Sequence, residues 1–479
     1  MARRRNRPTP MDFSGVMPDL ACTSEFLPTR SELAIGAMAQ FSGRVWYVNY
    51  LSHKAASGAG CGLYEIDEQF HRTRRYEGEG IEGTYANRMV HHESSQLFLG
   101  PFVIDLDHHI QVIDELVDVR LASTARHLTD PENKVHVLGM EGEFFEVDVN
   151  TLEVTHLADL CTELDLPQGA RPHFKAMYTA HGRVIVANNS YDQPDFREDR
   201  FAGRLAEWDG REWRILSRAP HYEVYGRQRL GAVVYATGWD RRSAILHACI
   251  GSGGDLGTRR QDPSSFHWKR YRLPKGSVNF EHAWQTEWPR IREIEHERYL
   301  MDCQGMFYEL SPHAWDGHVL GIRPVCTHLW AIPDFLNYRG CLLLGSDQTT
   351  PAHGDNILAG ESESGVWVGK TDDLWSFGPP AGYGGPWFED DVEADQPSDP
   401  YLFAGFTHQS ICLRHDAAGE IDVDVELDAT GTGQWCRAVR LSVPPEGLCH
   451  SFPPGLQAHW LRLTARSSAR WTAQLRQQG

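Results

Sequence analysis

Short apolar runs recur along the chain, each one behind a turn. Seven of them begin, in order, at Arg44 (RVWYVNY), Gln96 (QLFLG), Lys134 (KVHVLG), Arg183 (RVIVAN), Ser243 (SAILHAC), Arg298 (RYLMDC) and Cys341 (CLLLGS). The mean spacing is about fifty residues, which is typical of propeller blades. Most runs are followed by a second strand pattern with an acidic stop, such as LYEID at 63–67 and FFEVD at 144–148. Each repeat therefore predicts one small antiparallel sheet.

The repeats predict an all-β protein, a seven-bladed β-propeller with a small C-terminal β appendage. We expect a leader over 1–32, the propeller over 33–376, a Gly/Pro-rich loop or linker over 377–400, and the appendage over 401–479. The appendage shows alternating strand patterns with turn clusters between them. Helical periodicity is weak throughout, so helix should be scarce.

Composition limits the cellular setting. No stretch of about eighteen apolar residues occurs, so we expect no membrane span. The basic N-terminus lacks a following apolar segment, which disfavours a secretory signal. The 10 cysteines are scattered without a C-x-x-C pair, and Cys249, Cys303 and Cys341 fall in strand patterns where a thiol acts as a small hydrophobe. These features favour a reducing, cytoplasmic protein, whose oligomeric state the sequence leaves open.

The formal net charge of −19 argues against a nucleic-acid partner, since phosphate neutralisation needs a basic surface. The strands that line the axis are nevertheless predicted, by stepping back from each run, to begin near Ala34, Tyr85, Thr124, His173, Gly231, His282 and Thr327. Polar and basic residues lie near these starts, namely Asn87, Arg88, Arg126, His127, His173, Lys175, Arg229, His282, Gln285 and His328. This predicts a pocket for an anion. Alternatively, these groups are solvated or pair with Asp and Glu of neighbouring blades.

Two later segments offer further ligand-binding groups. The run HAWQTEWPRIREIEHER begins at His282, and its Trp284, Gln285 and Glu287 are suited to stacking on a sugar and bonding its hydroxyls. Packing between blades is the alternative for the tryptophans, and we expect RIREIEHER to be an exposed loop or strand edge. Asp355 either contacts ligand or caps a turn.

Histidines of the sixth and seventh repeats suggest a metal site. His282, His328 and His353, with Gln348 and Asp347 beside them, are able to hold a divalent cation if adjacent blades bring them together. Hydrogen-bonded structural histidines are the alternative. No G-x-S-x-G or phosphate-cradling motif occurs, and no dinucleotide G-x-G-x-x-G is followed by a helical pattern, so we expect no nucleotide cofactor.

Over 34–375 the chain resembles the seven-bladed propeller enzymes that cleave acidic glycans: oligogalacturonate lyases, ulvan lyases, and the lyases and rhamnosidases acting on rhamnosyl-glucuronate. The resemblance rests on repeat number and axis chemistry. For oligogalacturonate lyases it implies a divalent cation (Mn, Ca or Zn) held by His282, His328, His353 and Gln348, and a basic group, Lys175, His173 or Arg229, that takes the C5 proton. Here Asp355 follows His353, whereas that family has a closely spaced Gln and His. For the ulvan and rhamnosyl-glucuronate lyases it implies Tyr178 or Tyr235 in proton transfer, with Arg126 and Arg241 on the carboxylate.

Elimination next to a carboxylate needs a cation or metal for the developing charge, a base and an acid, and the axis residues supply all three. The sequence therefore predicts a lyase that acts on an acidic, uronate-containing oligosaccharide. Its catalytic residues are expected among His173, Lys175, Arg229 and Tyr178, and its substrate-binding residues among Arg88, Arg126, His127, Arg241, Trp284, Gln285, Glu287 and Asp355. A glycoside hydrolase with a carboxylate pair drawn from Glu281, Glu287, Asp347 and Asp355 is the first alternative. A non-catalytic propeller that binds glycan or protein is the second.

Overall fold

Seven blades follow one another around a central axis. The computed structural model describes residues 14–17, 20, 32–51, 62–77, 87–190, 202–226, 233–251, 266–277, 289–315, 317–349 and 365–479. Within these residues, each blade contains four antiparallel strands. The first strands of successive blades contact one another, and that of blade 7 contacts that of blade 1, so the ring is closed. This confirms the predicted all-β propeller.

The first four blades are continuous in sequence. Blade 1 contains Glu32–Phe41, Arg44–Leu51, Gly62–Ile66 and Arg72–Glu77, and blade 2 contains Arg88–His91, Gln96–Leu99, Phe102–Ile104 and Ile110–Val112. Blade 3 contains Leu121–Arg126, Lys134–Gly139, Glu143–Asp148 and Val154–Asp159, and blade 4 contains Phe174–Ala180, Arg183–Asn188, Arg204–Trp208 and Trp213–Ser217. The predicted apolar runs form the second strand in all four, where Val45, Leu97, Val135 and Val184 are fully buried.

In the last three blades the predicted runs are the third strand of blade 5 and the second strands of blades 6 and 7. Blade 5 contains His221–Tyr225, Val234–Trp239, Ala244–Gly251 and Phe266–Leu273, and blade 6 contains Arg290–Glu295, Arg298–Cys303, Met306–Leu310 and Arg323–Thr327. Blade 7 contains Phe335–Tyr338, Cys341–Gly345, Val366–Gly369 and Gly15–Met17. The predicted axial strands near Gly231 and Thr327 are thus wrong, and the one predicted near His282 lies outside the described residues. The true axial strands are short, and those of blades 5 and 6 carry Glu or Arg, which masked their pattern.

Two pairings close the ring. The strand Gly15–Met17, from the predicted leader, adds to Val366–Gly369 as the outermost strand of blade 7. The strand Asp347–Thr349 pairs with the first strand of blade 1 on its axial side. Both ends of the propeller sequence are therefore joined by backbone hydrogen bonds.

The appendage is a β-sandwich. One sheet contains Ala381–Val392, Ala469–Gln478, His408–His415 and Leu448–Ser451; the other contains Tyr401–Leu402, Trp460–Ala465, Ile421–Asp428 and Trp435–Val443. The strand Ala381–Val392 lies inside the segment predicted as a linker, which is thus wrong for these residues. It pairs with Ala469–Gln478, and Gly385 and Pro386 are accommodated at a shift in register between Gly384 and Trp387 rather than in a loop.

The sandwich continues the sheet of blade 5. Tyr401 pairs in parallel with Arg272 of the outermost strand of that blade. Trp460 of the sandwich lies 4.6 Å from Tyr271, between ring centroids, and belongs to the core shared by blades 5 and 6. The propeller and the sandwich are therefore packed as one unit.

Short elements and cysteines complete the fold. The helical elements among the described residues are Asp114–Leu116, Leu160–Glu163 and Thr371–Phe377. None of the helices in the described part is long and apolar enough to cross a membrane. Cys249 and Cys303 are buried as predicted, but Cys412 and Cys449 of adjacent sandwich strands form a disulfide. Cysteines distant in sequence are brought opposite each other by the strand register, which their spacing does not reveal.

Candidate functional site

A cavity of about 820 Å³ lies on the axis, walled by the first strands of blades 2 to 6. Its basic side chains are Arg88, Arg126, Lys175 and Arg292. Its acidic side chains are Glu93, Glu223 and Glu293, and Tyr178 and Tyr225 also line it. The volume falls in the range of ligand pockets, about 300–1,000 Å³. Three of the basic residues predicted at the axis, Arg88, Arg126 and Lys175, line the cavity, and acidic groups accompany them.

Asp334, just before the first strand of blade 7, holds two of the arginines. Its carboxylate accepts hydrogen bonds from Arg88 Nε at 3.0 Å and Arg292 Nε at 2.8 Å. The backbone N–H groups of Met38 and Phe335 donate to it at 2.8 and 3.0 Å. Burial raises the pKa of Asp334, but the two guanidiniums outweigh burial and leave it below its ordinary value. This fully buried carboxylate is therefore ionised at neutral pH.

Arg292 extends the network to blade 5. Its Nη1 donates to Glu223 Oε2 at 2.7 Å. Burial lowers the pKa of Arg292, but the carboxylates of Asp334 and Glu223 outweigh burial and raise it. A chain of alternating charges thus runs from blade 2 through blades 7 and 6 to blade 5. Opposite charges in low dielectric fix these side chains in place.

On the other side of the cavity, Arg126 pairs with Glu93. The Nη1 of Arg126 donates to Glu93 Oε2 at 2.7 Å, and its Nη2 donates to the other carboxylate oxygen. The hydrogen bonds from Arg126 lower the pKa of Glu93 to about 2. Glu93 is therefore held ionised and does not serve as an acid near neutral pH.

Lys175 and two tyrosines complete the wall. Lys175 is 1% exposed on the first strand of blade 4, and Tyr178 follows it on the same strand. The ring of Tyr178 lies 6.2 Å from that of Tyr225, whose hydroxyl accepts from the backbone N–H of Glu293 at 3.2 Å. The Arg292 guanidinium lies 5.7 Å from the centre of the Tyr225 ring. Two phenols and an amine thus adjoin the arginine network.

Four of the predicted site residues, Arg88, Arg126, Lys175 and Tyr178, line this cavity. Other predicted residues lie elsewhere. His127 bonds Glu146 at 3.1 Å within blade 3, and Arg241 lies in the turn after the second strand of blade 5. Tyr235 is fully buried and donates to the Ser311 carbonyl at 2.8 Å.

His173 precedes the first strand of blade 4 and does not line the cavity formed by the described residues. Its backbone N–H donates to Ser190 Oγ at 2.7 Å. The remaining predicted residues, Arg229, His282, Trp284, Gln285, Glu287, His353 and Asp355, lie outside the described residues. Of Gln348, only the backbone is described. Those predictions stay predictions.

His328 does not fit the predicted metal site at the axis. It follows Arg323–Thr327, the outermost strand of blade 6, so its predicted axial position is wrong. Its Nε2 bonds Asp302 at 3.0 Å, and its ring lies 4.6 Å from that of Phe307. Within the described residues, no group of three or more His, Cys, Asp or Glu is placed to hold a metal ion.

Sequence reasoning missed Asp334, Glu223, Arg292 and Tyr225. A signal existed for one of them, because RIREIE alternates charged and apolar residues as a strand does. Its density of charge instead indicated an exposed loop. The ion pairs that allow Arg292 to be buried join blades 5, 6 and 7, which are far apart in sequence.

The chain matches no family model and no curated protein. Solved propeller structures resemble it at low identity. The β-propeller domain of Myceliophteria thermophila Cps50 (Swd1) is 10% identical, with 70% of this chain and 96% of that chain covered and a TM-score of 0.39. An oligogalacturonate lyase from Vibrio parahaemolyticus is 10% identical, with 74% and 91% covered and a TM-score of 0.40. At these values the likeness does not extend to function.

Proposed function

We propose that the axial cavity binds a uronate-containing oligosaccharide and that the chain cleaves it by β-elimination. The observation that supports this most is the state of Arg88. Its Nε is bonded to Asp334, while Nη1 and Nη2 have no hydrogen-bond partner among the described residues and the side chain lines the cavity. A guanidinium held at one nitrogen and open at two is suited to a carboxylate.

The elimination assigns roles to three cavity residues. Arg88 neutralises the uronate carboxylate and so stabilises the enolate that forms when C5 loses its proton. Lys175 takes that proton, the electron pair forms the C4–C5 double bond, and the C4–O bond to the leaving sugar breaks. Tyr178 gives a proton to the departing oxygen. The products are an unsaturated uronate and a sugar with a free hydroxyl.

Hydrolysis is the competing chemistry at the same cavity, since three glutamates line it. A hydrolase needs one carboxyl that is protonated near neutral pH. Glu93 does not meet this need, because Arg126 lowers its pKa to about 2. Glu223 is engaged by Arg292 at 2.7 Å. Elimination requires no protonated glutamate, because the arginines supply positive charge and a tyrosine supplies a proton. We therefore favour elimination.

An ultraviolet assay on a panel of uronate oligosaccharides tests the proposal, because only elimination yields an absorbing product. We expect Lys175→Met and Tyr178→Phe to lower kcat by about 10²–10⁴-fold, the usual effect of removing an acid or base. Arg120→Lys, at an ion pair with Glu141 outside the cavity, is the matched control and should retain activity. Cleavage without absorbance would instead identify a hydrolase, and binding without cleavage a glycan-binding propeller.

A further inference from the structure

We propose that Asp334 is a positioning residue that joins Arg88 and Arg292 into one binding site for a single carboxylate group of the ligand. This inference deepens the proposed function and rests on it. Each oxygen of Asp334 accepts one Nε, from Arg88 at 3.0 Å and from Arg292 at 2.8 Å. One carboxylate therefore fixes two guanidiniums that come from blades 2 and 6.

The bonding leaves the outer nitrogens of both arginines available. Arg88 keeps Nη1 and Nη2, and Arg292 keeps Nη2, without a hydrogen-bond partner among the described residues. Both side chains line the cavity. In Arg88 the edge formed by Nη1 and Nη2 is not used by Asp334, whereas Arg292 offers Nη2 alone, because its Nη1 donates to Glu223 and to the Ile291 carbonyl. A planar carboxylate fits the Arg88 edge in the paired geometry that arginine provides, with Nη2 of Arg292 as a third donor.

Asp334 is itself held on two further sides. The N–H groups of Met38 in blade 1 and Phe335 in blade 7 donate to it at 2.8 and 3.0 Å. It is 0% exposed, so its position is set by the folded ring and not by ligand. The carboxylate-binding site is therefore formed before the ligand binds, which lowers the entropy cost of ordering the two arginines.

The charge balance narrows the ligand class. The cavity's three arginines, Arg88, Arg126 and Arg292, are matched by the acidic Glu93, Glu223, Glu293 and Asp334, and Lys175 is uncharged when it serves as the base. Among the described residues, the site has no excess of positive charge to attract a polyanion. Recognition through donor geometry, with charge nearly balanced, favours a sugar with one carboxylate over one with a phosphate ester.

Binding measurements test this carboxylate-binding site separately from catalysis. The probes are D-glucuronate, D-galacturonate, D-mannuronate and L-iduronate, each with its methyl ester, and glucose 6-phosphate, followed by ligand-observed NMR. We expect wild type to bind one uronate at least about tenfold more tightly than its ester or the phosphate, since each added charged hydrogen bond is worth that much or more.

A double-mutant cycle tests whether Asp334 acts through Arg88. Arg88→Gln and Asp334→Asn should each weaken uronate binding about tenfold or more and leave ester binding unchanged, whereas the loss in the double variant should fall clearly short of the product of the two single losses. Asp399→Asn is the matched control. Asp399 also accepts from two Nε atoms, of Arg270 and Arg272, but at the sandwich. The Asp399→Asn variant should bind uronate as tightly as wild type does.

The assignment is overturned if wild type binds no uronate, or if glucose 6-phosphate competes as well as the uronate does. It is also overturned if Asp334→Asn binds uronate normally, or loses ester binding as much as uronate binding. Losses in the two single variants that multiply in the double variant would contradict it as well. Should Asp334→Asn fail to fold, Arg292→Gln takes its place, with selective loss of uronate binding expected and unchanged binding contradicting the assignment. Selective binding without an absorbing product would contradict the proposed elimination alone, which keeps the two failures distinct.

Discussion

Each charged side chain of the axial cavity is defined by the partner that holds it. Glu93 lies on the turn after the first strand of blade 2, and Arg126 ends the first strand of blade 3. Their side chains are 31% and 22% exposed, so solvent screens the pair only in part. The pair therefore joins two blades at the cavity wall and contributes modestly to stability.

The depressed pKa of Glu93 predicts a pH-dependent contribution. A group whose folded pKa lies below its unfolded value stabilises the fold above the unfolded value, and this is lost as pH falls. For Glu93 the window runs from 4.5 down to about 2. Glu93→Gln should cost about 1 kcal/mol above the window, after allowance for screening, and nothing near its lower end.

Thermal unfolding of wild type and Glu93→Gln across this pH range measures the difference. Glu132→Gln, on an exposed turn of blade 3, should show no such dependence. A difference that persists unchanged to low pH would contradict the role assigned to the Arg126 pair.

At the scale of elements, the apolar runs predicted the blades because a buried second strand must be apolar on both faces. In blade 5 the run is instead the third strand, Ala244–Gly251, which pairs on both sides and is equally buried. The strand that precedes this run in sequence, Val234–Trp239, was therefore predicted to be the axial strand, and the true axial strand His221–Tyr225 was missed. Local patterns thus give the number of blades and leave the position within each blade open.

The first strand of blade 6 resisted prediction, since its charges are satisfied over long range. Arg290 and Arg292 are 0% and 5% exposed in a segment that looked like a solvated loop. Burial of Arg292 is stabilised by Asp334 and Glu223, which are 42 and 69 residues away in sequence. Of the cavity's basic residues, Arg88, Arg126 and Lys175 were readable from sequence, whereas Arg292 and the carboxylates that orient the arginines were not.

The disulfide between Cys412 and Cys449 predicts a redox-dependent stability of the sandwich. It joins strands His408–His415 and Leu448–Ser451 across a sequence separation of 37 residues. Closing a loop of this length restricts the unfolded chain and should contribute about 3–4 kcal/mol. The double variant Cys412→Ser/Cys449→Ser should therefore unfold at lower temperature than wild type under oxidising conditions.

Calorimetry with and without reductant measures this contribution. Reductant should lower the unfolding temperature of wild type and leave the double variant unchanged. Cys436→Ser replaces an exposed free cysteine of the same sandwich and should retain the response of wild type. An equal response to reductant in wild type and the double variant would contradict the assignment.

For the whole molecule, the junction between propeller and sandwich is as charged as the axial cavity. Arg272 of blade 5 is 1% exposed and bonds both Asp240 of the propeller, at 3.0 Å, and Asp399 next to the sandwich, at 2.9 Å. Arg242 of blade 5 pairs with Asp390 of the sandwich. Loss of the sandwich would leave Arg272 without Asp399 and expose the edge of blade 5. We infer that the two parts fold and unfold together.

Lys275 lies at the centre of this junction. Its backbone N–H and carbonyl bond Tyr383 of the sandwich at 2.8 and 3.0 Å. Its Nζ donates to the Asp240 carbonyl at 2.6 Å and lies 5.6 Å from the centre of the Trp239 ring. Burial, only partly offset by Asp240, lowers the pKa of Lys275 to about 8. The folded molecule therefore releases this proton more readily than the unfolded chain does.

The stability of the joined molecule should consequently rise with pH through this residue. The unfolded lysine keeps its proton up to its pKa of 10.5, and the folded lysine keeps it only up to a pKa of about 8. The free-energy cost of the buried charge is therefore full below pH 8 and declines as pH rises towards 10.5. Relative to Lys275→Met, wild type should gain up to about 3 kcal/mol of unfolding free energy over this range. Denaturant unfolding at successive pH values measures the gain. Lys134→Met removes a half-buried lysine whose pKa Glu146 raises, and it should show no gain between pH 8 and 10. A flat difference between wild type and Lys275→Met would mean that water reaches Lys275 and that the junction opens before the molecule unfolds.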